Sequence, residues 1–511
     1  MDAFIIIIYF FFLIIWVLYT LSLVHLSIHV EKERRLQKNN NGKEVSIEQF
    51  KSNNPRLPVV TVQVPLYNEL YVAERVIDCI IQFDYPSEKL EIQILDDSTD
   101  ETYDIVASRV KYWQAEGVDI KQIHRTNRTG YKAGALAEAT PKARGEFIAL
   151  FDADFLPDKD FLLKTLPYFD DPEIGAVQAR WGHLNGNYSL LTKLQTLSID
   201  AFFLVEQFGR SLAGYWLRFN GSGGLWRASC IEDAGGWSGD TLSEDLDLAF
   251  RAQLKGWKFR YANHIECKGE LPVTMDGVKK QYYRWSKGKT EVVKKLSLQV
   301  LKAKIPLMTK IHAFADLWNI WANIAILAIA ILSLPFAHIT ANNPVFDGVW
   351  RYTSIGLIYT VLLIYMMLKV YYFRSNSIMS SIRSVILDFP AFAFLFTGIT
   401  LHQNVAIFDG YRGKKTAFER TPKYDIQKDA GAWTGKSYTP AKLPLITYIE
   451  LLMAGYFAYG VYLDFVTGLY GFLPWHIFLS FGASYTFWLT VKQNSIKNKG
   501  KKEVSPQLVK A

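Results

Sequence analysis

Four short runs occur in fixed order within one polar block of the chain: Asp96-Asp97, Asp152-Ala-Asp154, Glu244-Asp245 and Gln281-Tyr-Tyr-Arg284-Trp285. Each carries residue types suited to one step of glycosyl transfer from a nucleoside diphosphate. A hard divalent cation is ordinarily held by one or two carboxylates plus the phosphate oxygens of its substrate. Asp154, with Asp152 beside it, is the candidate pair for Mg2+ or Mn2+. Asp96-Asp97, a second acidic pair on the same sheet edge, is the candidate for the base and ribose. Asp245 opens a helix, where a carboxylate can take the proton of an acceptor hydroxyl. Arg284 offers a fixed cation to a departing diphosphate, and Trp285 offers an aromatic face to a sugar ring. Alone, each run also suits a strand end, a helix cap or a basic surface helix. Their order narrows the reading to a sugar-nucleotide transferase.

The elements around these runs follow from periodicity. Val59-Val-Thr-Val-Gln-Val64 and Leu90-Glu-Ile-Gln-Ile-Leu95 read as short strands separated by a helical pattern over Ala73 to Phe83. A third strand, Phe147 to Phe151, follows helical Lys132 to Ala139. The expected fold is therefore α/β, a doubly wound parallel sheet whose ligands collect beyond the carboxyl ends of the strands. Asp97 and the Asp152-Asp154 pair both fall there. Neither GxGxxG nor GxxxxGK[ST] is present, which disfavours a dinucleotide enzyme or a P-loop ATPase.

The rest of the 511 residues, 50% apolar and 15% aromatic overall, frames this block with membrane segments. Phe4 to Val30 reads as a retained anchor, closed by Glu31-Lys-Glu-Arg34-Arg35. Further apolar stretches run over Ile311 to Ala337, Tyr352 to Phe373, Val385 to Phe408, Leu443 to Phe465 and Tyr470 to Val491. Basic residues after the anchor and in the C-terminal tail place both regions in the cytoplasm, so one stretch does not cross. Val385 to Phe408 is chosen as interfacial or re-entrant because it carries Asp388, Pro390, His402, Gln403 and Asn404. The expected organisation is an anchor over 4–30, a catalytic domain over 55–272, amphipathic interfacial helices over 273–306, membrane hairpins over 311–373 and 443–491, a loop over 409–442 and a basic tail over 492–511. Three cysteines, Cys79, Cys230 and Cys267, lie in the block without metal-binding spacing and read as structural.

Phe219-Asn-Gly-Ser-Gly-Gly-Leu-Trp-Arg227, Gly235-Gly-Trp237, Ser243-Glu-Asp245 and Gln281 to Trp285 together resemble the membrane-embedded, family-two inverting glycosyltransferases, above all the plant cellulose-synthase-like mannan and glucan synthases. The resemblance covers Pro58 to Gly288 and implies a GT-A-like nucleotide-sugar domain. It implies that Tyr67 and Glu69 flank the base, that Asp97 contacts the nucleoside, and that Lys132 approaches the nucleotide. It assigns Asp152 and Asp154 to the metal, Asp245 to the base, and Gln281, Arg284 and Trp285 to the diphosphate and acceptor. Phe418-Glu-Arg-Thr421-Pro-Lys423 is similar to the gating loop of cellulose synthase, placing Thr421 and Lys423 over the nucleotide, although Arg420 replaces the usual valine.

The resulting expectation is a metal-dependent hexosyltransferase of the plasma, inner or Golgi-type membrane, its catalytic domain facing the cytoplasm. It would move a hexose from UDP-glucose or GDP-mannose to a growing β-linked glycan and export the product. The alternatives are single transfer to a membrane lipid, and a catalytically silent scaffold. The partners are a sugar nucleotide, a glycan or lipid acceptor and the membrane, with no nucleic acid.

Overall fold

A computed structural model describes residues 1–37, 57–416, 420–427, 431–434, 436 and 443–504. Helix α1 (Asp2–Gln37) leads to the polar block. There β1 (Val60–Leu66), α2 (Ala73–Ile81), β2 (Leu90–Asp96), α3 (Thr102–Ala115), β3 (Ile120–His124), α4 (Tyr131–Ala139), β4 (Phe147–Leu150) and β5 (Phe155–Pro157) alternate along the chain. They are followed by β6 (Ile174–His183), α5 (Leu190–Ala201), β7 (Gly224–Arg227), α6 (Glu244–Leu254) and β8 (Lys258–Gly269).

These strands form one eight-stranded sheet in the order β3-β2-β1-β4-β7-β6-β8-β5. The sequence reading expects a parallel sheet, and β3, β2, β1 and β4 are parallel. The other half is mixed, because β7 runs antiparallel to both β4 and β6, and β5 runs antiparallel to β8. Alternation fixes the two faces of the parallel half. Val60, Val62 and Val64 join Ile92, Ile94 and Ala149 in the core. On the opposite face buried polar side chains pair across strands, Thr61 Oγ1 donating to Glu91 at 2.7 Å and Gln63 Nε2 to Gln93 at 2.9 Å.

Beyond the sheet come α7 (Met275–Lys302), α8 (Leu307–Leu317), α9 (Ile320–Asn342), α10 (Leu357–Ser375), α11 (Ile378–Tyr411), α12 (Leu445–Thr467) and α13 (Leu473–Val504). Among the described residues, five helical stretches are long and apolar enough to cross a membrane: Asp2–Glu33, Ile320–Asn342, Val349–Ser375, Ile378–Tyr411 and Leu445–Thr467. Residues 385–408, expected to be interfacial or re-entrant, lie within the single uninterrupted helix α11, without a re-entrant break. Asp388, about a third of the way along it, and Asp409, near its C-terminal end, reach elements of the polar block or its amphipathic extension. Lys193 of α5 pairs with Asp388 at 2.6 Å, and Tyr283 of α7 donates to Asp409 at 2.6 Å. Between these contacts α11 runs along α7. The expected gating segment is described at Arg420 to Gln427, while Phe418 and Glu419 lie outside the described residues, as do residues 505–511 of the basic C-terminal tail.

Candidate active site

A cleft of about 1310 Å³ opens at the carboxyl ends of β1, β2 and β4. It is lined by Tyr67, Glu69, Asp97, Lys132, Asp152, Asp154, Asp245, Gln281, Arg284, Trp285, Thr421 and Lys423, all singled out from the sequence; Asp96 does not reach it. Residues more than 350 positions apart in sequence thus share one space.

At one end of the cleft, β2 ends and the two aspartates diverge. The Asp96 carboxylate is buried against the loop and accepts Ser98 N at 2.9 Å and Gln122 Nε2 at 2.8 Å. This is a turn-stabilising role, so the acidic pair contributes one residue to the cleft rather than two. Asp97 faces the cleft and forms a two-pronged pair with Arg125, its Oδ1 accepting Arg125 Nε at 2.8 Å. The Arg128 guanidinium lies 3.2 Å from the centre of the Tyr67 ring, which makes a flat cationic platform.

In the middle, Asp152 and Asp154 stand directly after β4. Lys132, from the start of α4, donates to Asp152 at 2.5 Å and to the Gly221 carbonyl at 2.9 Å, and lies 3.6 Å from Glu244. Burial alone would lower its pKa, yet Asp152, Glu244 and Asp245 hold it above the ordinary lysine range. It remains a cation in the floor of the cleft. Lys423 donates to Asp154 at 2.5 Å and also bonds the Glu270 carbonyl. Arg420 donates to Glu69 at 3.1 Å, and Tyr424 N donates to Glu270 at 2.7 Å. Loop residues 420–424 therefore close one side of the cleft. Burial raises Glu69 to about 8, with Arg420 opposing the shift.

Asp245 occupies the first turn of α6, where Leu246, Leu248, Ala249 and Phe250 anchor the helix inward. Its Oδ1 accepts Leu246 N at 2.8 Å. Burial and the neighbouring Glu244 carboxylate raise it to about 7, partly offset by Lys132. Gly221 makes room for it. With φ +78° this residue sits in the left-handed region, and a Cβ there would lie 2.9 Å from Asp245 Oδ2. A carboxylate with a pKa near neutrality in a cleft is suited to general-base work.

A further wall comes from α7, capped by Thr274, whose hydroxyl accepts Gly277 N at 3.3 Å. Gln281, Arg284 and Trp285 have the i, i+3, i+4 spacing that puts side chains on one helix face. Trp285 meets Tyr282 edge-on at 5.3 Å, and Gln281 Oε1 is buried without a protein hydrogen bond among the described residues.

The donor chemistry of the Asp152-Asp154 pair fits Mg2+ or Mn2+: two carboxylates beside a cleft able to admit phosphate oxygens. Among the described residues no three His, Cys, Asp or Glu side chains are grouped as a metal cage. Such an ion would be held by Asp152 and Asp154 and would complete its shell with phosphate oxygens of the substrate.

Arg125, Arg128, Gly221 and Glu270 escape the sequence reading. Gly221 stood within the quoted Phe219 to Arg227 run, where its bracketing glycines were the available signal. Arg125 and Arg128 follow the unrecognised strand β3.

Comparison with known proteins agrees with this arrangement. Residues 55–288 match the model described as glycosyltransferase-like family 2. The chain is 44% identical over 265 residues to the probable glucomannan 4-beta-mannosyltransferase 11 of Oryza sativa subsp. japonica, covering 51% of this chain and 46% of that protein. It is 42% identical over 265 residues to glucomannan 4-beta-mannosyltransferase 9 of Arabidopsis thaliana, covering 51% and 50%. The chain spans about half the length of these curated relatives. Among solved structures, the mannosyltransferase PcManGT from Pyrobaculum calidifontis in complex with GDP-Man and Mn2+ aligns over 68% of this chain and 98% of that one, at 24% identity and TM-score 0.45, a likeness too slight to carry an assignment. Residues 55–288, which match glycosyltransferase-like family 2, therefore fold around one mixed α/β sheet and are flanked by helices long and apolar enough to cross a membrane.

Proposed function

We propose that this chain is an inverting hexosyltransferase that extends a β-linked glycan, using GDP-mannose rather than UDP-glucose as donor. The observation that carries the reading is the single cleft in which Asp245, raised to about 7, stands beside the Lys132-Asp152 pair and faces the Arg284-Trp285 wall. The preference for mannose rests on the relatives, which are named for mannosyl transfer onto glucomannan.

In this reading Asp245 takes the proton from the acceptor hydroxyl as that oxygen bonds to the anomeric carbon from the face opposite the leaving group. The bond between the anomeric carbon and the phosphate oxygen breaks, and its electron pair leaves with the nucleoside diphosphate. Arg284 and Lys132 supply fixed positive charge for the departing group. Asp152 and Asp154 would hold a divalent cation, which when bound neutralises diphosphate charge. Tyr67, Glu69, Asp97 and Arg128 form the nucleoside end, and Thr421 and Lys423 cover it.

The catalytic domain is proposed to face the cytoplasm, where sugar nucleotides are made, with export of the product through the membrane helices. Helix α11 is proposed to lie along the interface, since its contacts through Asp388 and Asp409 both reach the catalytic side. The deciding experiment is a donor screen with purified protein and Mg2+ or Mn2+, followed by product mass and linkage analysis. A β-linked mannose polymer is the expected product, and a singly glycosylated lipid under excess donor would overturn the reading.

A further inference from the structure

One group of cleft residues has no part in the chemistry above. His183, the last residue of β6, lines the cleft together with Trp181 two positions earlier. The His183 Nε2 lies 3.0 Å from Asp200 Oδ1, and both side chains are almost wholly buried. Asp200 belongs to α5, and its other oxygen accepts Arg374 from the last turn of α10. Burial alone would raise Asp200, but His183 and Arg374 hold it below the usual carboxylate range. The imidazole is thus fixed by a buried anion, while Nδ1 has no bond to any described residue. An ion pair that merely tied the domain to a membrane helix would need Arg374 and Asp200 alone.

The position within the sheet separates this group from the Tyr67-Asp97 end of the cleft. Strand β6 lies two places beyond β4 and three beyond β1. His183 pairs in register with Gly269 of β8, whose neighbour Glu270 donates its N–H to the Asp154 carbonyl at 3.2 Å, so the group borders the Asp152-Asp154 turn and is remote from Tyr67 and Asp97, which follow β1 and β2. Trp181 is braced by its indole N–H on the Ser222 carbonyl at 3.0 Å, and Trp285 lines the same space from α7. Aromatic walls around one oriented polar group are what a sugar ring requires, an apolar face for its C–H surface and a hydrogen-bond partner for a hydroxyl.

We infer that His183, oriented by Asp200, binds a hydroxyl of the acceptor hexose, with Trp181 and Trp285 as the walls of that subsite. The inference rests on the proposal that the acceptor is a glycan. His183 is the contacting group, and Asp200 and Arg374 act through it as positioning residues.

The test uses the full chain purified in detergent with short β-linked mannose oligosaccharides as acceptors. His183→Ala is expected to raise the acceptor KM about tenfold, the scale of one lost hydrogen bond, with donor KM within about twofold of wild type. His183→Asn, which keeps a donor of similar reach, is expected to fall between the two, and it carries the test if the alanine variant does not fold. Asp200→Asn is expected to shift the acceptor KM in the same direction. An unchanged acceptor KM in folded His183 variants, or an equal rise in donor KM, would overturn the subsite alone. Failure of the wild type to extend any oligosaccharide would instead overturn the glycan reading, and this subsite with it.

Discussion

Burial beside Glu244 places the Asp245 carboxyl near neutrality, and this has two measurable consequences. As a base it works only when ionised, so kcat/KM for transfer should fall as pH drops below about 7, and Asp245→Asn should lose at least the ~10²-fold typical of general-base removal. The stability effect has the opposite sense. A carboxyl whose pKa is higher folded than unfolded stays protonated where the unfolded chain has already ionised, so folding stability declines between about pH 4 and 7. Asp245→Asn should therefore melt at a temperature equal to or above wild type at pH 8. A lower melting temperature would mean that the carboxylate is stabilising. Gly221→Ala should cost about 10²-fold in kcat, because the added methyl meets Asp245 Oδ2 and requires a left-handed backbone. Wild-type turnover in that variant would show that the loop yields. At this scale Asp245, Asp154 and Arg284 were legible in sequence because their types are chemically restrictive. Arg125 and Arg128 were not, since arginines in a loop have no pattern until β3 orients that loop.

Among elements, α7 lines the cleft on one face and meets the helix bundle on another. Gln281, Arg284 and Trp285 face the cleft, while Lys279 two residues earlier points into the helix bundle and pairs with Glu450 of α12 at 2.8 Å. Glu450 also meets His402 of α11 at 2.7 Å. Removing one partner of a buried pair leaves an uncompensated charge, at a cost of about 3 kcal/mol or more. Lys279→Ala should therefore lower the melting temperature in detergent, and an unchanged one would show that Glu450 finds another partner. On the cleft face, Trp285→Ala should lose chain elongation far more than donor binding, whereas Arg284→Ala should slow even donor hydrolysis. Assays of product length and nucleotide release separate the two. Periodicity located β1, β2, β4 and α7 because their buried faces are continuous. It missed β3, whose pattern at the sheet edge is half exposed, and it could not foresee β7, whose direction depends on where the long segment before it returns.

At the scale of the whole molecule, the proposed orientation assigns each loop to one side of the membrane. Helix α11 has 34 residues, about 51 Å of helix, ample to span a bilayer. Its contacts at Asp388 and Asp409 nevertheless reach α5 and α7, and the following loop brings Lys423 into the cleft. A cysteine label near Lys415 should accordingly react only from the cytoplasmic side, and one near Asn343 only from outside. Outside reactivity at Lys415 would mean that α11 crosses. Sequence by itself determined the placing of carboxylates at strand ends and the presence of the apolar helices, because carboxylate pairs and runs of ~20 apolar residues are local signals. Tertiary structure decided what those signals do together. It separated Asp96 from Asp97, put Gly221 against Asp245, and brought Lys423 to Asp154 and Asp200 to His183. Ion pairing and pKa depend on distance and burial, which the chain acquires only when segments far apart in sequence are packed around one sheet.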